Sequence, residues 1–333
     1  MLASVAAVAA SPSAPEWSPQ ASGVTVRLRG VSTVSSRVAW ASGADGTVLR
    51  TTDSGQTWQP RPVAGGEKLD FRDVDAMGEQ VAYALSIGLG EASRIYKTTD
   101  GGAHWALQLA NTDPKVFLDA MSFRNEATGF AFSDSVDGRF VVFATTNGGQ
   151  SWGRVPADRL PPALPNEGAF AASGTNVALF GRDHVWIGTS ASRVLHSGDG
   201  GRTWTVAATP LPTGASAGIF SVAFRDAQHG VVVGGDYKKE PEAVDNVAFT
   251  SDGGATWTLA RGLSGFRSVV AWMPGRERSL VAIGPTGADW SADDGQTWAP
   301  LTGAGYDTFS FAPGDRVGWA AGLGGRIAKL TLR

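Results

Sequence analysis

The chain is 333 residues long, with 44 glycines, 17 prolines, 12 tryptophans, no cysteine and a formal net charge of -3. This is the composition of a turn-rich globular protein, and it excludes a disulfide framework, a thiol nucleophile and a cysteine metal site. The near-neutral balance, without a basic run, argues against nucleic acid, and the four scattered histidines (His104, His184, His196, His229) have no metal-ligand spacing.

In chain order, Met1 to Ala10 is apolar and small and is followed by Ser-Pro-Ser-Ala-Pro. This resembles the apolar core and cleavage region of a secretory signal, without its basic start. The expectation is a leader over 1–15, a single domain over 16–333, and export to the periplasm or beyond. No cysteine follows the apolar run, so no lipoprotein anchor is expected, and no transmembrane segment is read elsewhere.

Beyond the leader the alternation is that of short strands. Leu28 to Val34, Arg37 to Ser42, Gly46 to Thr51 and Thr57 to Pro60 read as four successive strands. The third and fourth are joined by Thr51-Thr-Asp-Ser-Gly-Gln-Thr-Trp58. The same turn returns at 98–105, 145–152, 197–204, 250–257 and 291–298, with the pattern S/T-x-D-x-G-x-T-W. Its acidic positions are Asp53, Asp100, Asn147, Asp199, Asp252 and Asp293, spaced 47, 47, 52, 53 and 41 residues apart. That is the length of one four-stranded propeller blade. Within the turn, the carboxylate and hydroxyl can bond backbone amides and glycine supplies a positive φ. The tryptophan that follows (Trp58, Trp105, Trp152, Trp204, Trp257, Trp298) is then expected to bury its ring between neighbouring sheets. The six acidic positions are therefore read as structural, and Asn147 keeps an amide oxygen where the charge is given up.

Later units repeat the order, as in Ile219 to Phe224, Gly230 to Gly235 and Asn246 to Thr250. After the sixth turn, Thr308 to Phe311, Val317 to Ala321 and Gly325 to Leu330 make three strands with no fourth. Trp17-Ser-Pro-Gln20 resembles Trp58-Gln-Pro and Trp298-Ala-Pro. The N-terminal strand is thus expected to complete the last blade, giving an all-β, seven-bladed propeller of four-stranded blades; six blades is the second choice.

These turns, their phase and the three-plus-one closure resemble the Asp-box (BNR) propellers of the photosystem II stability/assembly factor-like family, over roughly residues 16 to 333. The resemblance implies a non-catalytic exported scaffold that binds another protein, without a cofactor. The Asp box is shared with sialidases, so a carbohydrate-active propeller, glycan-binding or hydrolytic, is the alternative.

Any site is expected opposite the repeated turns, where the inner strands begin. Aligning those strands by their alternation places Arg29, Arg72, Leu118, Ile219, Arg267 and Tyr306 together near the axis, with Glu167 joining them if the fourth inner strand begins near Phe170. If that strand is instead Asn176 to Phe180, a later residue takes the position. Of 28 basic residues six are lysine and 22 arginine, and arginine's planar fork suits a carboxylate-bearing partner or ligand. The competing expectation is that the arginines pair with Asp73, Asp119 and Asp307 in structural bridges. Loops at 88–94, 133–139 and 236–245 add to the same rim. A sialidase would use such arginines with Tyr306 and Glu167, but the Phe/Tyr-Arg-Ile-Pro motif is absent and seven blades depart from the sialidase six. Gly214-Ala-Ser-Ala-Gly218 lacks the strand-to-helix context of a nucleophile elbow, and Asp134 with Asp137 is too sparse for a calcium loop.

Overall fold

In a computed structural model, residues 16–332 are described, and the leader expected over 1–15 lies outside them. The first repeat folds as its alternation predicts. Leu28–Thr33, Ala39–Gly43, Val48–Thr51 and Gln59–Pro60 pair antiparallel in that order, from the axis outward. Seven such four-stranded sheets are present. We number them as blades in chain order, with inner strands Leu28–Thr33, Asp70–Ala76, Leu118–Phe123, Val177–Phe180, Ala217–Phe224, Val269–Trp272 and Thr308–Phe311.

Blade 7 takes three strands from the C-terminal end and its outer strand, Glu16–Gln20, from the other end of the chain. Glu16 lies opposite Thr331 and Gln20 opposite Ile327, so the seven-bladed expectation holds together with its mode of closure. Gln20 secures the seam. Its Oε1 accepts from Trp58 Nε1 at 3.1 Å and Trp319 Nε1 at 2.9 Å, and its Nε2 donates to Ser54 O at 3.0 Å.

The repeated turn is held by a fixed set of bonds. In blade 1, Thr51 Oγ1 donates to Asp53 Oδ1 (2.8 Å) and accepts from the Gly55 amide (2.9 Å), while Asp53 accepts from the Thr57 amide (3.0 Å) and hydroxyl (2.7 Å). These bonds, the Thr57 amide first, hold the Asp53 carboxyl down to about 2. Asn147 keeps the arrangement, accepting from the Ser151 amide at 3.0 Å and donating Nδ2 to Ser151 Oγ at 2.8 Å. The tryptophans that follow reach back to the preceding blade. Trp105 meets Trp40 edge-on at 6.0 Å, and Trp204 meets Phe130 at 6.4 Å.

Blade 4 departs from the pattern. Its inner strand is Val177–Phe180, so Glu167 is not at a strand start. The preceding stretch, 168–175, crosses the central channel and bonds to every blade. Asp134 Oδ1 accepts from Ala169 N (3.3 Å), Arg72 donates to Ala171 O (3.0 Å) and Arg29 to Ala172 O (3.5 Å). Ser173 donates to Ser268 O (2.8 Å), Thr308 donates to Ser173 O (3.2 Å), Thr175 donates to Ser221 Oγ (2.8 Å) and Gly168 N donates to Ser190 Oγ (3.0 Å). Gly174 has φ of +74°, and a Cβ there would overlap the Asp73 carboxylate, so this crossing requires glycine. The crossing divides the channel into two blind cavities.

Candidate functional site

The ring of side chains facing the axis is set by a β-bulge. In blades 1, 2, 3 and 5 the register shifts at the start of the inner strand, between Leu28 and Gly30, Phe71 and Asp73, Leu118 and Ala120, and Ile219 and Ser221. The extra residue, left out of the ladder, is Arg29, Arg72, Asp119 or Phe220. The residue before it is buried and, in blades 1 and 5, donates its amide to the preceding blade, as Leu28 does to Gly322 O and Ile219 to Thr189 O. In blades 6 and 7 that bond is made by Arg267 to Gly234 O and Tyr306 to Gly284 O. Ser268 and Asp307 therefore stand in register with Arg29. The alignment by alternation falls one residue early in blades 3, 5, 6 and 7, at Leu118, Ile219, Arg267 and Tyr306, because a bulge present in some inner strands and not in others breaks the parity that alternation assumes.

A cavity of about 400 Å³ opens on this face, lined by Arg27, Arg29, Arg72, Phe170, Phe220, Tyr237, Glu240, Phe266, Ser268 and Asp307 among others, with Ala171 and Ala172 as its floor. Arg27 is bound at both ends of the Asp307 carboxylate, Nε to Oδ2 at 3.0 Å and Nη2 to Oδ1 at 2.5 Å. Arg72 pairs with Asp70 at 2.8 Å and keeps one amino group on Ala171 O. Among the described residues Arg29 has no carboxylate within ion-pair distance and makes only the long bond to Ala172 O. Burial pulls its guanidinium down to about 10, so it remains charged at neutral pH. On the opposite wall Phe170 and Phe220 stack with centroids 4.0 Å apart and planes within 4°, Phe266 meets Phe220 edge-on at 4.6 Å, and Tyr237 stands 6.1 Å from both stacked rings.

The other expected residues lie away from the cavity. Arg267 is 2% exposed and bound to the wholly buried Asp289 at 2.6 Å, with further bonds to Phe266 O, Ser264 Oγ and Thr286 Oγ1. Tyr306 is buried against Trp17, centroids 5.4 Å apart, with the Arg326 guanidinium over its ring. Glu167 is buried and bound to Arg193 and to Thr189 Oγ1, bracing the loop at the edge of blade 4. The structural bridges are thus Arg27–Asp307, Arg72–Asp70 and Arg267–Asp289, while Asp73 and Asp119 make none. Burial pushes both of those carboxyls well above the usual range.

Sequence reasoning missed Arg27, Phe170 and Phe220 as lining residues; the glycine- and serine-rich stretch at 214–218 stands just before the bulge of blade 5, but no such lead precedes that of blade 3. Of the rim loops, 236–245 supplies Tyr237 and Glu240, while the 133–139 loop supplies Asp134 to the crossing segment. Asp137 is taken by Lys115 at 2.8 Å. On the turn side of the crossing, the second cavity, about 600 Å³, is lined by the far ends of the inner strands and by Asp73 and Asp75, the latter pushed up to about 6 by burial. Among the described residues no helix is long and apolar enough to cross a membrane.

No protein-family model and no curated protein sequence matches the chain. Solved structures do share its architecture. YCF48 bound to D1 peptide superposes with a TM-score of 0.67 at 18% identity, covering 99% of this chain and all of that one. YCF48 from Cyanidioschyzon merolae gives 0.68 at 19%, over 96% and 99%. A GH74 xyloglucanase from Xanthomonas campestris gives 0.62 at 15%, this chain spanning 53% of it. What the chain shares with these proteins is the seven-bladed β-propeller fold.

Proposed function

We propose that the protein is an exported, non-catalytic scaffold whose axial cavity binds a carboxylate-bearing segment of another protein. The observation that carries this is Arg29: a charged guanidinium, mostly withdrawn from water, without a carboxylate partner among the described residues, at the edge of an open cavity. Leaving such a group without an anion is costly, and a ligand carboxylate would supply the bonds it lacks. Arg72 stands beside it, with its Nη1 held by Ala171 O at the cavity floor. The Asp-box character of the turns and the likeness to a propeller whose solved complex holds a peptide support the same reading. The apolar start of the chain supports export to the periplasm or beyond, with a cell-envelope protein as partner.

The carbohydrate-active alternative draws on the likeness to GH74 propellers. Against hydrolysis, the cavity's Asp307 is held at both oxygens by Arg27, which leaves it poorly suited to act as acid or nucleophile. The test is capture from an envelope extract of the host by the wild type and by an Arg29→Ala, Arg72→Ala variant, with a glycan array in parallel. A protein retained by the first and lost by the second, at nearly equal melting temperature, is the expected outcome. Equal retention, or specific retention of a glycan alone, would refute the proposal.

A further inference from the structure

The two walls of the axial cavity differ in kind. Arginines from blades 1 and 2 form one, and the other is aromatic, built by segments with no counterpart in most blades. Phe170 sits on the stretch that crosses the channel, and Tyr237 on the long second-to-third-strand loop of blade 5. Both stand against Phe220, the bulged residue of that blade. Phe220 and Phe266 are almost wholly buried, but Phe170 is half-buried and Tyr237 is 42% exposed, so these two present the accessible part of the wall. Rings gathered only to fill a core close up against one another to the density of a crystal. Here about 400 Å³ is left open beside them, in the range of a small-ligand site and sized for a few residues of extended chain, not for a folded surface.

Resting on the carboxylate reading above, we propose that the cavity is selective for a segment in which the carboxylate lies next to a large aromatic side chain. The carboxylate sits at Arg29 and Arg72, and the ring packs against Phe170 and Tyr237. Aromatic pairs prefer the edge-to-face and offset arrangements already made between these rings, and a ligand ring extends that set. The acid can come from a chain terminus or from an Asp or Glu side chain.

The test measures binding of four short N-acetylated peptides by calorimetry. One ends in Phe with a free carboxylate, one in Ala with a free carboxylate, one in Phe amide, and one carries Asp before a Phe amide. The free-acid Phe peptide is expected to bind about tenfold tighter than the Ala peptide. Loss of binding in the plain amide without recovery in the Asp-Phe amide assigns the acid to the terminus, and recovery shows that an Asp side chain serves as well. Tyr237→Ser, on an exposed loop, and the conservative Phe170→Leu should each reduce the preference for Phe over Ala, read as the ratio of the two affinities. Equal binding of the Phe and Ala peptides overturns the aromatic selectivity while the carboxylate reading stands. Failure of both free-acid peptides to bind overturns the two together.

Discussion

Replacing Arg267 with alanine should unfold the protein at a markedly lower temperature, whereas replacing Arg29 should not. The difference follows from what each guanidinium leaves behind. Arg267 is 2% exposed, its Nε is 2.6 Å from Asp289, and Asp289 is itself fully buried. Removing the cation strands that carboxylate in the interior, with the Ser264 amide at 3.3 Å as its remaining donor. Breaking a buried pair in this way costs about 3–5 kcal/mol, which for a chain of this size lowers the melting temperature by roughly 4–7 °C. Arg29 leaves no stranded anion, and its loss relieves a desolvated charge, so its variant should melt within about 3 °C of the wild type. Thermal unfolding followed by far-ultraviolet circular dichroism measures both. Combining Arg267→Met with Asp289→Leu removes both charges and should recover most of the loss. An Arg267→Ala protein that melts like the wild type would refute the assignment of Arg267 to the interior, and an Arg29→Ala protein that falls by as much as Arg267→Ala would refute the contrast between them.

Gln20→Ala leaves the indole donors of Trp58 and Trp319 unpaired at the seam and should cost about 2 kcal/mol in denaturant titrations. Gly174→Ala forces a strained φ and a clash with Asp73, and its destabilisation should be accompanied by faster hydrogen exchange of the Ala169 amide. Stability should also depend on pH in a particular direction. Asp75 titrates near 6 when folded, above the usual carboxylate value near 4, so the folded state holds its proton more tightly. Its contribution is complete below about pH 4 and is lost as pH rises through 6. Melting temperature should therefore fall between pH 4.5 and about 7.5, and Asp75→Asn should flatten that fall. Asp53, depressed to about 2, contributes in the opposite sense: its stabilisation is present above about pH 4 and lost below it.

The turns were legible because their chemistry is local. Thr51, Asp53, Gly55 and Thr57 satisfy one another within seven residues, so the pattern alone predicts the bonds. The closing strand was legible for the same reason, Trp17-Ser-Pro carrying the mark of an outer strand. Axial register was not, since it depends on an unpaired residue present in four of the inner strands, which alternation cannot reveal. Alternation sets Arg29, Arg72, Arg267 and Tyr306 at one level, whereas in the fold Arg29 and Arg72 line the cavity and Arg267 and Tyr306 lie one position before it. The crossing segment was hidden in a stretch with neither alternation nor a turn motif. Its bonds go to residues as distant as Arg29 and Thr308, and no local pattern encodes partners that far away.

The seam between Glu16–Gln20 and Ile327–Thr331 also orders events during synthesis. The strand that leaves the ribosome first among the blades is the last to acquire its neighbour, because Ile327 follows Gln20 by about 300 residues. Until then the growing chain carries an orphaned strand at one end and an unsealed first blade beside it. Six finished blades make an arc, and only the synthesis of Thr308 to Thr331 converts the arc into a wheel. A message truncated before residue 327 would therefore yield a product whose Glu16–Gln20 strand has no ladder partner and whose ring is unsealed, a form exposed to aggregation and to proteases.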